Sequence, residues 1–220
     1  MSYVAEDTRQ KLIEAAREQF YKKGINDTTL EKITKQAFVQ PSAVSYYFGG
    51  KRGLIENVID GFYNRIYEKV ETISDNEEIK PILWIYVLWN NIAFDSNIAR
   101  CMTEYLSMDV SDPNGEPTMR FSEFVEKTRY TFDMHEGDEG TLLNPYYCFC
   151  VNNHALYGMM KYALKTGGDR NDTVKLLART DVHIKAMIAG VRDLDIVKEK
   201  CEEAEEILAK SEVKDLRVMF

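Results

Sequence analysis

Apolar residues recur three and four positions apart along almost the whole chain, and no stretch sustains the apolar–polar alternation of a half-buried strand. This periodicity predicts an all-α fold. Of the 5 prolines, Pro41, Pro81, Pro117 and Pro145 each stand just before a helix-like run, where a missing N–H costs nothing. The spacing predicts helices over about 7–23, 28–37, 41–48 and 51–73. Further helices follow over 81–95, 97–109, 117–135, 144–166, 171–191 and 194–210. A polar stretch, 74–80, reads as the linker between the first four helices and the rest.

The first three helices have the proportions of a helix-turn-helix with a supporting helix. Leu12, Ile13, Ala16 and Phe20 form one stripe, and Gly24 follows as a left-handed cap. Thr28 and Glu31 read as a capping box opening the second helix, whose inner face is Leu30, Ile33 and Ala37. Phe38 and Val39 make the turn. Gln40 then occupies the N-cap and Pro41 the first position of the third helix, which Gly49 and Gly50 end. At about 100° per residue, Val44, Tyr47 and Phe48 cluster inward on that helix. Ser42 and Tyr46 point the other way, flanked by Pro41, Ala43 and Ser45. A two-turn helix, small and polar outside, suits the major groove of DNA.

Charge agrees with this division. The net charge of -8 speaks against a nucleic-acid binder, but residues 1–55 carry 9 Lys and Arg against 6 Asp and Glu, and the remainder carries 19 against 30. A mildly basic head sits on an acidic body.

The run from Ile13 to Leu54 resembles the TetR family of transcriptional repressors. The resemblance lies in A-A-x-x-x-F-x-x-x-G, the T-T pair, and Y-F-x-x-K-x-x-L at their mutual distances. It implies a helix-turn-helix DNA-binding domain over 1–52 and a helical ligand-binding and dimerisation domain over 53–220, with helix 51–73 as the connecting lever. By position it implies phosphate contacts from Thr28 or Thr29, and backbone contacts from Gln40, Tyr47 and Lys51. Pro41, Ser42, Ala43 and Tyr46 would face base edges. Ser45 stands where a phosphate-binding tyrosine is common, Phe38 where glycine is usual, and Arg52 where an acid is usual. None of these is a bidentate reader of guanine or adenine, so shape and half-site spacing would carry much of the specificity. The resemblance further implies a homodimer through the helices near 144–166 and 171–191, double-stranded operator DNA as partner, and release by a small-molecule effector.

In the body, residues 82–89 are apolar nearly all round, as in a fully buried helix. The surrounding aromatic and Met content can enclose a pocket for an apolar or aromatic effector. Its candidate lining is Trp84, Trp89, Met102, Tyr105, Phe121, Phe124, Tyr147, Asn152, His154 and Tyr157. Cys148-x-Cys150-x-x-x-His154 does not make a metal site, because Cys148 lies about 200° around a helix from Cys150. No phosphate loop or nucleophile motif occurs, so no cofactor and no enzymatic activity are expected. The four cysteines read as reduced thiols of a cytoplasmic protein without a membrane segment. Two other readings compete: an accessory regulator of the same fold acting through protein contacts, and a helical enzyme or carrier with a buried pocket.

Overall fold

The structure is a computed structural model that describes residues 3–110, 129, 131–132, 145–165, 170–211 and 215–220. Its elements are α1 (Tyr3–Lys23), α2 (Leu30–Ala37), α3 (Ser42–Phe48), α4 (Lys51–Glu71), α5 (Lys80–Phe94), α6 (Ser96–Val110), α7 (Pro145–Lys165), α8 (Arg170–Ala189) and α9 (Leu194–Lys210). Among the described residues every regular element is helical. The helix expected over 117–135 lies outside the described residues, except for 129, 131 and 132.

α5 is the axis of the molecule. Every residue from 82 to 89 is buried, as expected for a helix apolar on all sides, and α4, α6, α7, α8 and α9 all pack against it. A single apolar cluster runs from Leu12 through α4 and α5 to Phe220, so α1–α3 share their core with the helices that follow.

Local chemistry sets the helix ends, and twice it departs from the sequence expectation. α2 is capped by Thr29, not Thr28. Thr29 is extended (φ −96°, ψ 153°), and its hydroxyl accepts the Lys32 N–H. The Thr28 hydroxyl turns inward and donates to the Gly24 carbonyl at 2.6 Å, tying off the end of α1. At α3, Pro41 holds the N-cap position with helical angles, so the helix proper begins at Ser42, one residue later than expected. Phe38 closes α2 in the left-handed region (φ 57°), the conformation that glycine adopts freely, and its ring is 96% exposed.

One buried and one partly buried polar cluster complete the body. Asp181 on α8 is 0% exposed, pairs with Lys185 one turn later, and accepts the Trp89 indole N–H at 3.0 Å. Arg179 makes a two-pronged bond with Glu205 of α9 (2.7 and 2.9 Å), and the Tyr86 hydroxyl donates to the same carboxylate at 2.6 Å. Together these charges pin α8 and α9 to α5.

Candidate nucleic-acid interface

α3 lies on α1 and α4 through Val44 and Phe48, both buried. That anchoring turns the other side outward: Gln40, Pro41, Ser42, Ser45 and Tyr46 are exposed, and Ala43 and Tyr47 are half-buried. The Tyr46 ring is 80% exposed and meets Tyr47 edge-on, with centroids 4.8 Å apart. An open groove of about 540 Å³ runs along this face, lined by Thr8, Val39, Gln40, Ser42, Ala43, Tyr46 and Tyr47. Seven of the ten residues read from sequence as DNA contacts thus form one surface with Thr29 beside it at the N-terminus of α2: Gln40, Pro41, Ser42, Ala43, Ser45, Tyr46 and Tyr47.

The remaining two are corrected. Thr28 is 0% exposed and engaged with Gly24, so a phosphate cannot reach its hydroxyl. Lys51 is half-buried, and its ammonium donates to the Ile25 carbonyl at 2.8 Å. Burial pulls its pKa below the ordinary lysine value, with the Glu104 carboxylate acting in the opposite sense. It straps the start of α4 to the α1–α2 turn.

That turn is also held from α6, by residues the sequence reading missed. Glu104 accepts the Ile25 and Asn26 amides at 2.5 and 3.0 Å. Arg100 donates to the Tyr21 carbonyl at 2.8 Å, and the Cys101 thiol donates to the Phe20 carbonyl at 2.9 Å. The Tyr21 hydroxyl donates to Asp95, at the start of α6, at 2.7 Å. Burial pushes the Cys101 thiol up to about 12 and the Cys201 thiol up to about 11, so both stay protonated and unreactive near neutrality.

The effector-lining candidates do not converge on one cavity among the described residues. Trp84 is buried against Tyr63 and Tyr67 of α4, with centroids 5.2 and 5.5 Å away. Trp89 is committed to Asp181, and Met102 is fully buried in the core. Tyr105 is half-buried, as is Tyr157, whose ring carries the Lys161 ammonium at 5.0 Å. Asn152 is buried. His154 is exposed, which corrects its place as a pocket handle: α7 turns that face away from the core. Phe121, Phe124 and the Tyr147 side chain lie outside the described residues. A cavity of about 10 Å³, room for one water, is lined by Pro81, Ile82, Ile85, Thr131, Phe132, Val182 and Lys185, none of them a candidate. Among the described residues no group of three or more His, Cys, Asp or Glu could hold a metal, and no helix is long and apolar enough to cross a membrane.

A short helix seated on two others, with small polar residues and a tyrosine facing out, defines a helix-turn-helix protein of the DNA-binding class. Residues 12–58 match the family model of the bacterial regulatory proteins of the tetR family. The chain is 27% identical over 136 residues to the probable HTH-type transcriptional regulator YttP of Bacillus subtilis, covering 60% of this chain and 65% of that protein. It is 31% identical over 78 residues to the HTH-type transcriptional regulator TtgR of Pseudomonas putida, covering 36% and 37%. The matches therefore span less than two thirds of these relatives' lengths. Among solved structures, RolR in complex with resorcinol aligns over 100% of both chains, with a TM-score of 0.58 at 16% identity. A TetR-family regulator from Pectobacterium atrosepticum aligns over 82% of this chain and 93% of its own, with a TM-score of 0.53 at 18% identity. At these identities the likeness is one of fold.

Proposed function

We propose that the chain is a ligand-responsive transcriptional regulator, a repressor that grips palindromic operator DNA as a dimer and lets go when a small apolar or aromatic effector binds. The observation that carries this reading is the outward face of α3, Ser42, Ser45 and Tyr46, backed by buried Val44 and Phe48 inside the family-matched segment. Pro41, Ser42, Ala43 and Tyr46 meet base edges. Gln40, Tyr47 and Thr29 hold phosphates, with the N-terminus of α2 adding its dipole. Residues 1–52 act as the gripping unit and 53–220 as the sensing and dimerising unit, with α4 between them.

Two exposed stripes support dimerisation through α7 and α8. Val151, Gly158 and Tyr162 line one side of α7, and Leu176, Thr180 and Met187 line one side of α8. Paired with the same stripes of a second copy, they form a four-helix bundle that sets the distance between the two α3 helices.

An effector acts through α6. Hydrogen bonds that join Asp95, just before α6, and Arg100, Cys101 and Glu104 on it, to the end of α1 and the α1–α2 turn make the position of the gripping unit follow the position of α6. The effector shifts this equilibrium only by its differential affinity for the two arrangements, of order 1–3 kcal/mol in typical allosteric coupling. The aromatic class of effector agrees with the resorcinol bound by RolR.

A gel-shift titration with DNA upstream of the chain's own gene tests this, with salt varied. Binding should prefer that sequence, weaken as salt rises, and be lost in a Tyr46→Ala, Tyr47→Ala double variant. Binding with neither sequence preference nor salt dependence overturns the reading. Sedimentation of a Leu176→Glu, Met187→Glu variant should give a monomer from a dimeric parent.

A further inference from the structure

One side chain at the turn between α2 and α3 contributes nothing to the fold that carries it. α2 ends in a double closure: the Phe38 N–H donates to the Lys35 carbonyl at 3.3 Å, and the Val39 N–H donates to the Thr34 carbonyl at 3.0 Å. Such a closure needs a left-handed residue at its corner, and glycine is the residue that fits there without strain. Phe38 takes that place, at φ 57° and ψ 41°. The closure turns Val39 back onto the core and leaves the Phe38 ring outside, 96% exposed. Strain and exposure of a large apolar group therefore meet at one residue, and no contact among the described residues offsets either. The surface around the ring is polar. α2 exposes Lys32 and Lys35 against one acid, Glu31, and Gln40, Pro41 and Ser42 are exposed just beyond, where the outward face of α3 begins. A protein-docking patch would gather further apolar side chains round the ring, whereas these neighbours suit a phosphate-bearing partner.

We propose that Phe38 is a specificity-determining residue that reads a thymine, its ring lying against the C5-methyl group of a T·A pair at the rim of the half-site met by α3. The ring carries no donor or acceptor, so the hydrogen-bonding edges of the bases offer it nothing. The thymine methyl is the apolar group that the major groove displays. Chain length bounds where that pair lies. Phe38 stands three residues before Pro41, so their Cα atoms are at most about 11 Å apart. With the reach of the ring added, and at about 3.4 Å per step along one strand, the thymine falls within about five base pairs of the one that Pro41 meets. The closed turn holds the backbone in place before DNA arrives, so only the side-chain torsions of Phe38 are fixed on binding. This reading rests on the DNA-gripping role proposed above and adds to it a contact made from the turn.

The experiment uses the full chain. The parent protein first selects duplexes from a random pool. Affinity for one selected, fluorescently labelled duplex is then read by anisotropy as each thymine in turn is replaced by deoxyuridine, which lacks only the methyl group. At one thymine the replacement should weaken the parent about fourfold, the contribution of one buried methylene, and should leave Phe38→Gly unaffected. On the unmodified duplex Phe38→Gly should bind at least about fourfold more weakly than the parent, with the same salt slope, because no phosphate contact is lost. Phe38→Leu, apolar but smaller, should keep part of the deoxyuridine penalty. Phe38→Gly removes the strain together with the ring, and its urea midpoint, no lower than the parent's, separates lost binding from lost folding. Equal affinity of parent and Phe38→Gly for the selected duplex, or the same deoxyuridine penalty in both at every thymine, overturns the proposal and leaves the regulator reading standing. A parent that selects no duplex overturns the regulator reading, and the thymine contact with it.

Discussion

Glu104 reaches from α6 to accept the backbone N–H of Ile25 at 2.5 Å, and the space for its carboxylate exists because the neighbouring residue is glycine. A Cβ on Gly24 would lie 2.7 Å from the Glu104 carboxylate, and the backbone there has φ +88°. Glu104→Ala leaves two amides without their acceptor and should lower stability by about 1–3 kcal/mol in urea unfolding. Gly24→Ala should cost at least as much, through strain and collision together. Unchanged urea midpoints in both variants would contradict the contact.

Phe38 should be a position where the protein gains from losing a side chain. Its ring touches almost nothing, and its backbone is left-handed. Phe38→Gly should raise stability by about 1 kcal/mol, seen as a higher urea midpoint at unchanged slope. A lower midpoint would mean that the ring has a partner in the folded protein.

The Asp181–Lys185 pair should behave as a buried one. Asp181→Leu alone removes the buried carboxylate that Lys185 pairs with and should cost about 3–5 kcal/mol, whereas the double variant Asp181→Leu, Lys185→Met should recover most of the loss. The Trp89 N–H then loses its acceptor, so recovery should stop short of the parent. A double variant as unstable as the single one would refute the pairing.

Glu205 gives the fold an acid-sensitive joint. Burial alone would raise its carboxyl, but the bonds from Arg179 and Tyr86 outweigh burial and leave its pKa below the ordinary glutamate value. A group depressed on folding contributes stability that is fully present above its unfolded pKa, about 4.3, and is lost as pH falls through its folded pKa. Arg179→Met removes the main opposing bond, so acid unfolding monitored by circular dichroism should move to higher pH. A midpoint that stays put would show that another carboxylate governs acid unfolding.

The parts legible in the sequence were those fixed by neighbours along the chain. The all-round apolar run 82–89 forecast a buried axis, and the spacing of Val44, Phe48, Ser42 and Tyr46 forecast which side of α3 faces out. Adjacent threonines were harder. Thr28 has a glutamate three residues on and so reads as the cap, but the Gly24 carbonyl draws its hydroxyl inward and leaves the cap to Thr29. His154 was misplaced because α7 carries aromatic or polar residues on every side, so periodicity alone does not say which one faces in. Asp181 and Lys185, four apart, look like a surface pair in sequence, and only the indole from α5 marks them as interior. Glu104 lies 79 positions from Ile25, and no local pattern announces such a partner.

The chain has 2 tryptophans, both on α5, and Trp84 packs against Tyr63 and Tyr67 of α4. The molecule thus has a built-in fluorophore where α4 packs on α5. Any swing of α4 alters the packing around the Trp84 indole, while Trp89, bonded to Asp181, serves as an internal reference deeper in the body. Emission colour and lifetime should therefore report any movement of α4 against α5, with no label attached.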